Sequence, residues 1–309
     1  MWYGLDIGGT KIELAVLNTG FELEHSWRVP TPQQSYDEFL QTVLEQIQRA
    51  DALCENAGTL GIALPGVIRR DGTVLSSNVP CLTNQSVAKD LTRLLKRPVA
   101  IGNDCRCFAL SEAVLGAGQQ HKKVLGFILG TGAGGGFCLN GKLYQGAYGL
   151  AGEYGHQGLA AAVVQQFNLP LFNCGCGLTG CNEPYISGTG LARLYQHFSG
   201  RQNVDTYQWL ADYRAGIPAA VRTFEAYISA LGSVMANQIL SLNPDLIVLG
   251  GGLSDIPEII AALPEATTAH LFAGATVPEF KKAQWGAASG VRGAALLGKA
   301  LTEGQSYEF

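Results

Sequence analysis

The sequence predicts an α/β protein made of two similar halves around a cleft, and three observations carry that reading. A β-rich opening with a glycine turn, followed by helical periodicity, fills roughly the first 115 residues, and the same pattern restarts at Lys123. The chain has 309 residues, 47% of them hydrophobic, enough for about two domain cores. Its 40 glycines gather at a few positions instead of forming a linker, which marks tight turns and close approach of backbone to a ligand. No low-complexity segment or short-period repeat is visible.

The elements follow in order. Trp2 to Ile7 is extended and apolar, Gly8-Gly9-Thr10-Lys11 turns, and Ile12 to Leu17 resumes a β-rich run. A third strand near Leu23 to Val29 ends at Pro30. Ser35 can cap a helix whose apolar positions Phe39, Val43, Leu44 and Ile47 keep helical spacing. Thr59 to Leu64 reads as a buried strand closed by Pro65-Gly66, and a helix covers about Val87 to Leu95. A strand at Val99 to Ile101 runs into Asn103-Asp104, with a helix from about Cys105 to Leu115. In the second half, Lys123 to Leu129 is a strand and Gly130 to Gly136 a loop. Phe137 to Leu139 then leads to an Asn140-Gly141 hairpin turn. Helices are expected near Gly190 to His197 and Ala219 to Leu242, a buried strand at Asp245 to Leu249, and a last helix from about Val291 to Leu301.

Composition excludes several functions. Net charge is −4 and no Lys/Arg run stands out, so the footprint of a nucleic-acid or anionic-membrane binder is missing. The N-terminus lacks a basic start and a long apolar stretch, which speaks against a signal peptide. The most apolar segment, around Leu125 to Leu139, is broken by glycines and short of the ~20 residues a bilayer requires. The expected location is the cytoplasm, with no membrane partner. In that reducing compartment, three of the eight cysteines lying within eight residues point to metal rather than disulfides.

Six stretches carry chemistry. In Asp6-Ile7-Gly8-Gly9-Thr10-Lys11, a glycine turn between strands lets backbone N–H groups converge on phosphate, with Asp6 placed to hold Mg²⁺ through water. It is not a Walker A loop, because a strand follows instead of a helix, and a plain hairpin turn also fits. Gly130-Thr131-Gly132-Ala133-Gly134-Gly135-Gly136 formally satisfies a dinucleotide fingerprint. A hairpin follows where that fingerprint needs a helix, so a second phosphate-cradling turn is the better account. Asp104, ending a strand after Asn103, is either a general base for an attacking hydroxyl or the cap of the next helix. Cys174, Cys176 and Cys181 with His156 form a closed Cys₃His set for a structural Zn²⁺, while Cys54, Cys81, Cys105, Cys107 and Cys138 read as core residues. Glu153 and Glu183 flank that set as acceptors for sugar hydroxyls, and His156 has a second job open to it as a sugar contact. Finally, Gly250-Gly251 after a buried strand lets a flat ligand such as adenine lie against backbone, and a plain tight turn is equally compatible.

Together these stretches resemble the ROK family (repressors, open reading frames and kinases). The resemblance runs through Asp6-x-Gly-Gly-Thr-Lys11, Asn103-Asp104, Gly130 to Gly136, Gly152-Glu-x-Gly-His156 and the cysteine loop to Glu183, which spans most of the chain. Arg28 to Pro32, Asn78-Val-Pro80 and Cys107 to Ala113 are similar to the family's bacterial N-acetylglucosamine kinases. The resemblance implies an actin-like ATPase (ribonuclease H-like) fold. A small domain, residues 1–118, is completed by the C-terminal helix at about 291–309, and a large domain, residues 119–290, carries the zinc loop. It implies MgATP-dependent phosphorylation of N-acetylglucosamine on its 6-hydroxyl, with fructokinase or glucokinase as the alternative. Asp104 becomes the general base. Asn78, Asn103, Asp104, Glu153, His156 and Glu183 contact sugar. Asp6, Gly8, Gly9, Thr10, Lys11, Gly130, Thr131, Gly132, Gly134, Gly135, Gly136, Gly250 and Gly251 bind ATP. His156, Cys174, Cys176 and Cys181 hold zinc. A homodimer is expected. A family regulator is disfavoured because only five residues precede Asp6, leaving no DNA-reading module. Two departures stand out: Cys105-Arg106 replaces the usual Ala-Asn, which sets a bulky cation near the catalytic acid, and Asn84-Gln85-Ser86 replaces a Gly-x-Pro.

Overall fold

The structure, a computed structural model, describes residues 1–305, so the final four residues of the expected C-terminal helix segment lie outside the described residues. The first stretch contains β1 (Trp2–Ile7), β2 (Lys11–Leu17), β3 (Leu23–Pro30), α1 (Tyr36–Leu53), β4 (Thr59–Leu64), the short pair β5 (Val67–Ile68) and β6 (Val74–Leu75), α2 (Val87–Leu95), β7 (Val99–Asn103) and α3 (Asp104–Leu115). Next come β8 (Lys123–Leu129), β9 (Ala133–Leu139), β10 (Lys142–Tyr144), α4 (Ala161–Phe167), α5 (Glu183–Ile186), α6 (Gly188–Ser199), α7 (Thr206–Arg214) and α8 (Pro218–Leu242). The chain closes with β11 (Leu246–Gly250), α9 (Pro257–Thr268), β12 (Glu279–Lys282) and α10 (Ser289–Thr302).

The first sheet runs β3-β2-β1-β4-β7, antiparallel from β3 to β1 and parallel from β1 to β7. Alternation sorts its residues. Tyr3, Leu5 and Ile7 of β1 join Phe39, Val43 and Ile47 of α1 and Leu91 of α2 in one buried core. Burying each such side chain contributes about 1.5–3 kcal/mol. Ser35 caps α1 by accepting the Glu38 N–H, as expected. On the other face α10 lies so close that side chains are excluded. A Cβ on Gly4 or Gly61 would fall within 2 Å of an α10 carbonyl oxygen, of Val291 or Ala294 respectively.

The second sheet has the order β10-β9-β8-β11-β12. It corrects one expectation: β9 starts at Ala133, so Gly134, Gly135 and Gly136 are strand and only Gly130-Thr131-Gly132 turn. The reason is packing. A Cβ on Gly136 would sit 3.0 Å from Ala109 Cβ and 3.1 Å from Arg106 Cα, closer than side chains usually approach, so glycine here lets α3 press on this strand. The Asn140-Gly141 hairpin forms with both residues at positive φ, 52° and 72°. Helices α4, α7 and α9 and strand β12 were not foreseen.

By compactness the chain divides into two units, residues 1–126, 136–152 and 283–309 in one and 127–135 and 153–282 in the other. The expected division differs in assigning 119–126, 136–152 and 283–290 to the second part. No helix among the described residues is long and apolar enough to cross a membrane.

Candidate active site and metal-ligand cluster

In the first unit the Gly8–Lys11 turn joins β1 to β2, and the segment after β3 holds it in place. The Thr31 hydroxyl donates to the Gly8 carbonyl (2.8 Å), the Gln33 amide donates to the Gly9 carbonyl, and the Thr31 N–H donates to the Thr10 carbonyl (3.1 Å). Asn78 lies alongside: a Cβ added to Gly9 would be 3.2 Å from the Asn78 carbonyl oxygen. Asp6 points to the α10 face, where a Cβ on Gly290 would meet its Oδ2 at 2.5 Å. Burial, then the charges of Asp104 and Glu13, push the Asp6 carboxyl up to about 7, with Lys11 opposing. Two acids that repel each other in a half-buried place suit a divalent cation, which is the fit expected for the Mg²⁺ of MgATP.

Asn103 and Asp104 resolve the cap question. Asn103 is the N-cap of α3, accepting the Arg106 N–H (3.1 Å), while its amide donates to the Gly66 carbonyl (2.9 Å) and to Asp104 Oδ1 (3.0 Å). Asp104 is the first helical residue, and its Oδ1 also accepts the Cys105 N–H (2.8 Å). The carboxylate is therefore fixed in orientation without serving as the cap. Arg106 is 3% exposed, and its guanidinium donates to the carbonyls of Ala151 (3.1 Å) and Gly149. The unexpected cation thus pins the chain just ahead of Glu153.

In the second unit the Gly130-Thr131-Gly132 turn is tied to the start of α6. Gly188 N–H donates to the Gly130 carbonyl (2.7 Å) and the Thr189 hydroxyl to the Thr131 carbonyl (2.9 Å). Glu183 Oε2 accepts the Ala133 N–H (3.0 Å), which brings this acid onto the same turn. Beside it opens a cavity of about 740 Å³ lined by Gly130, Thr131, Asp205, Tyr207, Arg214 and Ile256, among others. Tyr207 and Arg214 were missed because nothing local marks them; only the packing of α7 brings them to the turn. The Glu153–His156 segment forms a short 3₁₀ turn held by Tyr154, whose ring stacks on Phe127 (3.6 Å between centroids) and whose hydroxyl donates to the Gly134 carbonyl.

His156, Cys174, Cys176 and Cys181 come together with one ligand atom from each within 4.8 Å of all the others. Cys176 Sγ to Cys181 Sγ is 3.7 Å and Cys174 Sγ to His156 Nδ1 is 3.6 Å. A tetrahedral zinc with Zn–S of about 2.3 Å has edges of about 3.8 Å between sulfurs, so the cluster has the size of a zinc site. His156 Nδ1 faces the thiols while Nε2 stands 3.9 Å from Glu153, which separates the two jobs left open for this ring. Burial raises Cys174 and pushes Cys181 up to about 12, whereas the Leu178 backbone N–H lowers exposed Cys176. A divalent ion would offset the cost of gathering three thiolates.

The chain belongs to the ROK family, whose model spans residues 2–300. It is 61% identical over 308 residues to N-acetylgalactosamine kinase AgaK of Shewanella sp. (strain ANA-3), covering all of both chains. It is 43% identical to N-acetyl-D-glucosamine kinase of Escherichia coli O127:H6, over 96% of this chain and 99% of the relative. Among solved structures, a ROK hexokinase from Thermus thermophilus superposes with a TM-score of 0.87 at 31% identity, covering 98% and 99% of the two chains. The fold is the actin-like ATPase fold of these kinases, and the chain is a sugar kinase.

Proposed function

We propose that the enzyme phosphorylates an N-acetylhexosamine on its 6-hydroxyl with MgATP, and that N-acetylgalactosamine is its preferred substrate. The observation that carries this reading is the 61% full-length identity to an N-acetylgalactosamine kinase, against 42–43% to N-acetylglucosamine kinases. The sequence alone favoured N-acetylglucosamine, and those relatives keep it as the second reading.

In this reaction the sugar O6 attacks the γ-phosphorus, the new O6–P bond forms, and the bond to the β,γ-bridging oxygen breaks to release ADP. Asp104 takes the O6 proton, its carboxylate held by the Cys105 N–H and the Asn103 amide. Asp6 is the residue that would hold Mg²⁺, which when bound with ATP would offset phosphate charge. The two glycine turns offer N–H groups to phosphate, and the cavity lined by Tyr207 and Arg214 takes the adenosine part. Glu153, His156 and Glu183 are the candidate sugar contacts of the second unit, with Asn78 and Asn103 those of the first. His156, Cys174, Cys176 and Cys181 would hold a zinc that supports the sugar loop, and four protein ligands would leave it no open position for chemistry.

The test is kcat/KM for N-acetylgalactosamine, N-acetylglucosamine, glucose and fructose at saturating MgATP, with the phosphorylated position read by NMR. Preference for N-acetylgalactosamine supports the proposal. Preference for N-acetylglucosamine by about tenfold, a difference of about 1.4 kcal/mol, would shift the assignment to the second reading. Preference for an unacetylated sugar would overturn both.

A further inference from the structure

We infer that Thr31 and Gln33 are positioning residues that lock the Gly8–Lys11 turn in its phosphate-binding orientation. The inference rests on the proposed role of that turn. In a planar trans peptide the carbonyl of one residue and the N–H of the next point in opposite directions. Three successive carbonyls of the turn, of Gly8, Gly9 and Thr10, all accept hydrogen bonds from the 31–33 segment. The N–H groups of Gly9 and Thr10 are therefore turned away from that segment, where they can serve a phosphate.

The holding segment is itself stiff. Thr31 is buried and stands between Pro30 and Pro32, whose rings fix φ. Gln33 is anchored by its carbonyl, which accepts the Cys81 N–H (3.2 Å), and the neighbouring Pro32 carbonyl takes a contact from Cys81 Sγ (3.5 Å). Neither side chain need touch the nucleotide to set its affinity. A glycine turn freed of these bonds has many conformations open to it, and ordering it would then weaken phosphate binding. The second turn gives independent support. There too, two successive carbonyls, of Gly130 and Thr131, are taken by donors from one distant segment.

The experiment compares binding of MgATP, MgADP and adenosine to the full chain by calorimetry, with Tm recorded for every variant. Thr31→Val keeps the shape and removes the donor. It should weaken MgATP and MgADP about 10-fold, the usual scale of one buried hydrogen bond, while adenosine affinity stays within about twofold. Thr31→Ser, which keeps the donor, should stay within about threefold of the natural protein for all three ligands. Gln33→Ala should behave like Thr31→Val and carries the test if Thr31→Val does not fold. A merely structural role would weaken adenosine in parallel with ATP, or leave ATP unchanged, and either result overturns the inference. If the natural protein bound MgADP no better than adenosine, the phosphate-turn reading would fall, and this inference with it.

Discussion

The turn at Gly8–Lys11 and the turn at Gly130–Gly132 each follow a buried strand, and each has successive carbonyls tied back by a remote segment. They differ in what does the tying. In the first unit two side chains, of Thr31 and Gln33, and the Thr31 backbone N–H hold the first turn; in the second a backbone N–H of α6 and the exposed hydroxyl of Thr189 hold the other. Two of the three bonds of the first arrangement are written in side chains and are open to substitution, whereas the second is half built into the start of a helix. The remaining equipment differs as well. The first unit carries the fixed carboxylate of Asp104, and the second carries the Cys₃His cluster and the cavity beside Tyr207. On the proposed function, proton removal belongs to the first unit and the metal-supported sugar loop to the second, and four substitutions would break or sharpen that division.

The largest effect is expected at Asp104. Asp104→Asn removes the proton acceptor yet can still accept the Cys105 N–H, so kcat should fall by about 10²-fold or more while binding of sugar and nucleotide is kept. Steady-state kinetics with binding measured separately decides it. A near-normal kcat would reduce Asp104 to a structural residue of α3 and remove chemistry from the first unit.

Metal loss comes next and should act on the other unit. Metal analysis should find about one zinc per chain. Cys176→Ser should release it, lowering Tm and sugar affinity together while MgATP affinity changes little. Loss of nucleotide affinity to the same degree would show that the two functions of the second unit are not separable. Protein prepared without chelator and containing no metal would end the zinc reading.

The part of this legible in the sequence was the part with local signatures. Turn glycines, a Cys-x-Cys-x₄-Cys spacing and an acid ending a strand were found because each is written within a few residues. Gly134–Gly136 looked like loop because glycine is a poor strand former, yet sheet pairing and the pressure of α3 make them strand. Helix α9 was hidden by Pro257 at its start and Pro264 inside it. Strand β12 reads Glu-Phe-Lys-Lys and has no apolar run to announce it. The cavity residues Tyr207 and Arg214 lie over 70 residues from the turn they neighbour, so only tertiary packing could reveal them.

Arg106 tests whether the first unit also prepares recognition. Its buried guanidinium holds the Gly149 and Ala151 carbonyls two residues and more ahead of Glu153. Arg106→Met keeps volume and leaves both carbonyls without this donor, so we expect a stability loss of about 1–3 kcal/mol. Sugar KM should rise several-fold while ATP KM is unmoved. Arg106→Lys should recover part of both, since an ammonium reaches as a point donor without the guanidinium fork. Unchanged sugar KM in a destabilised Arg106→Met would make the residue purely structural.

The smallest effect is expected at Thr189, and it bears most directly on the two turns. Thr189→Val removes one donor from the Thr131 carbonyl, but this bond is exposed, so water can replace it, and the Gly188 N–H still holds the neighbouring carbonyl. A solvent-replaceable hydrogen bond contributes at the low end of about 0.5–1.5 kcal/mol, which corresponds to about two- to threefold in MgATP affinity. That loss should be clearly smaller than for Thr31→Val, where the hydroxyl is buried and its segment holds three carbonyls. Equal losses at the two threonines would mean that exposure does not set the strength of these restraints. A larger loss at Thr189 would place the tighter phosphate contact on the second turn and reverse the comparison.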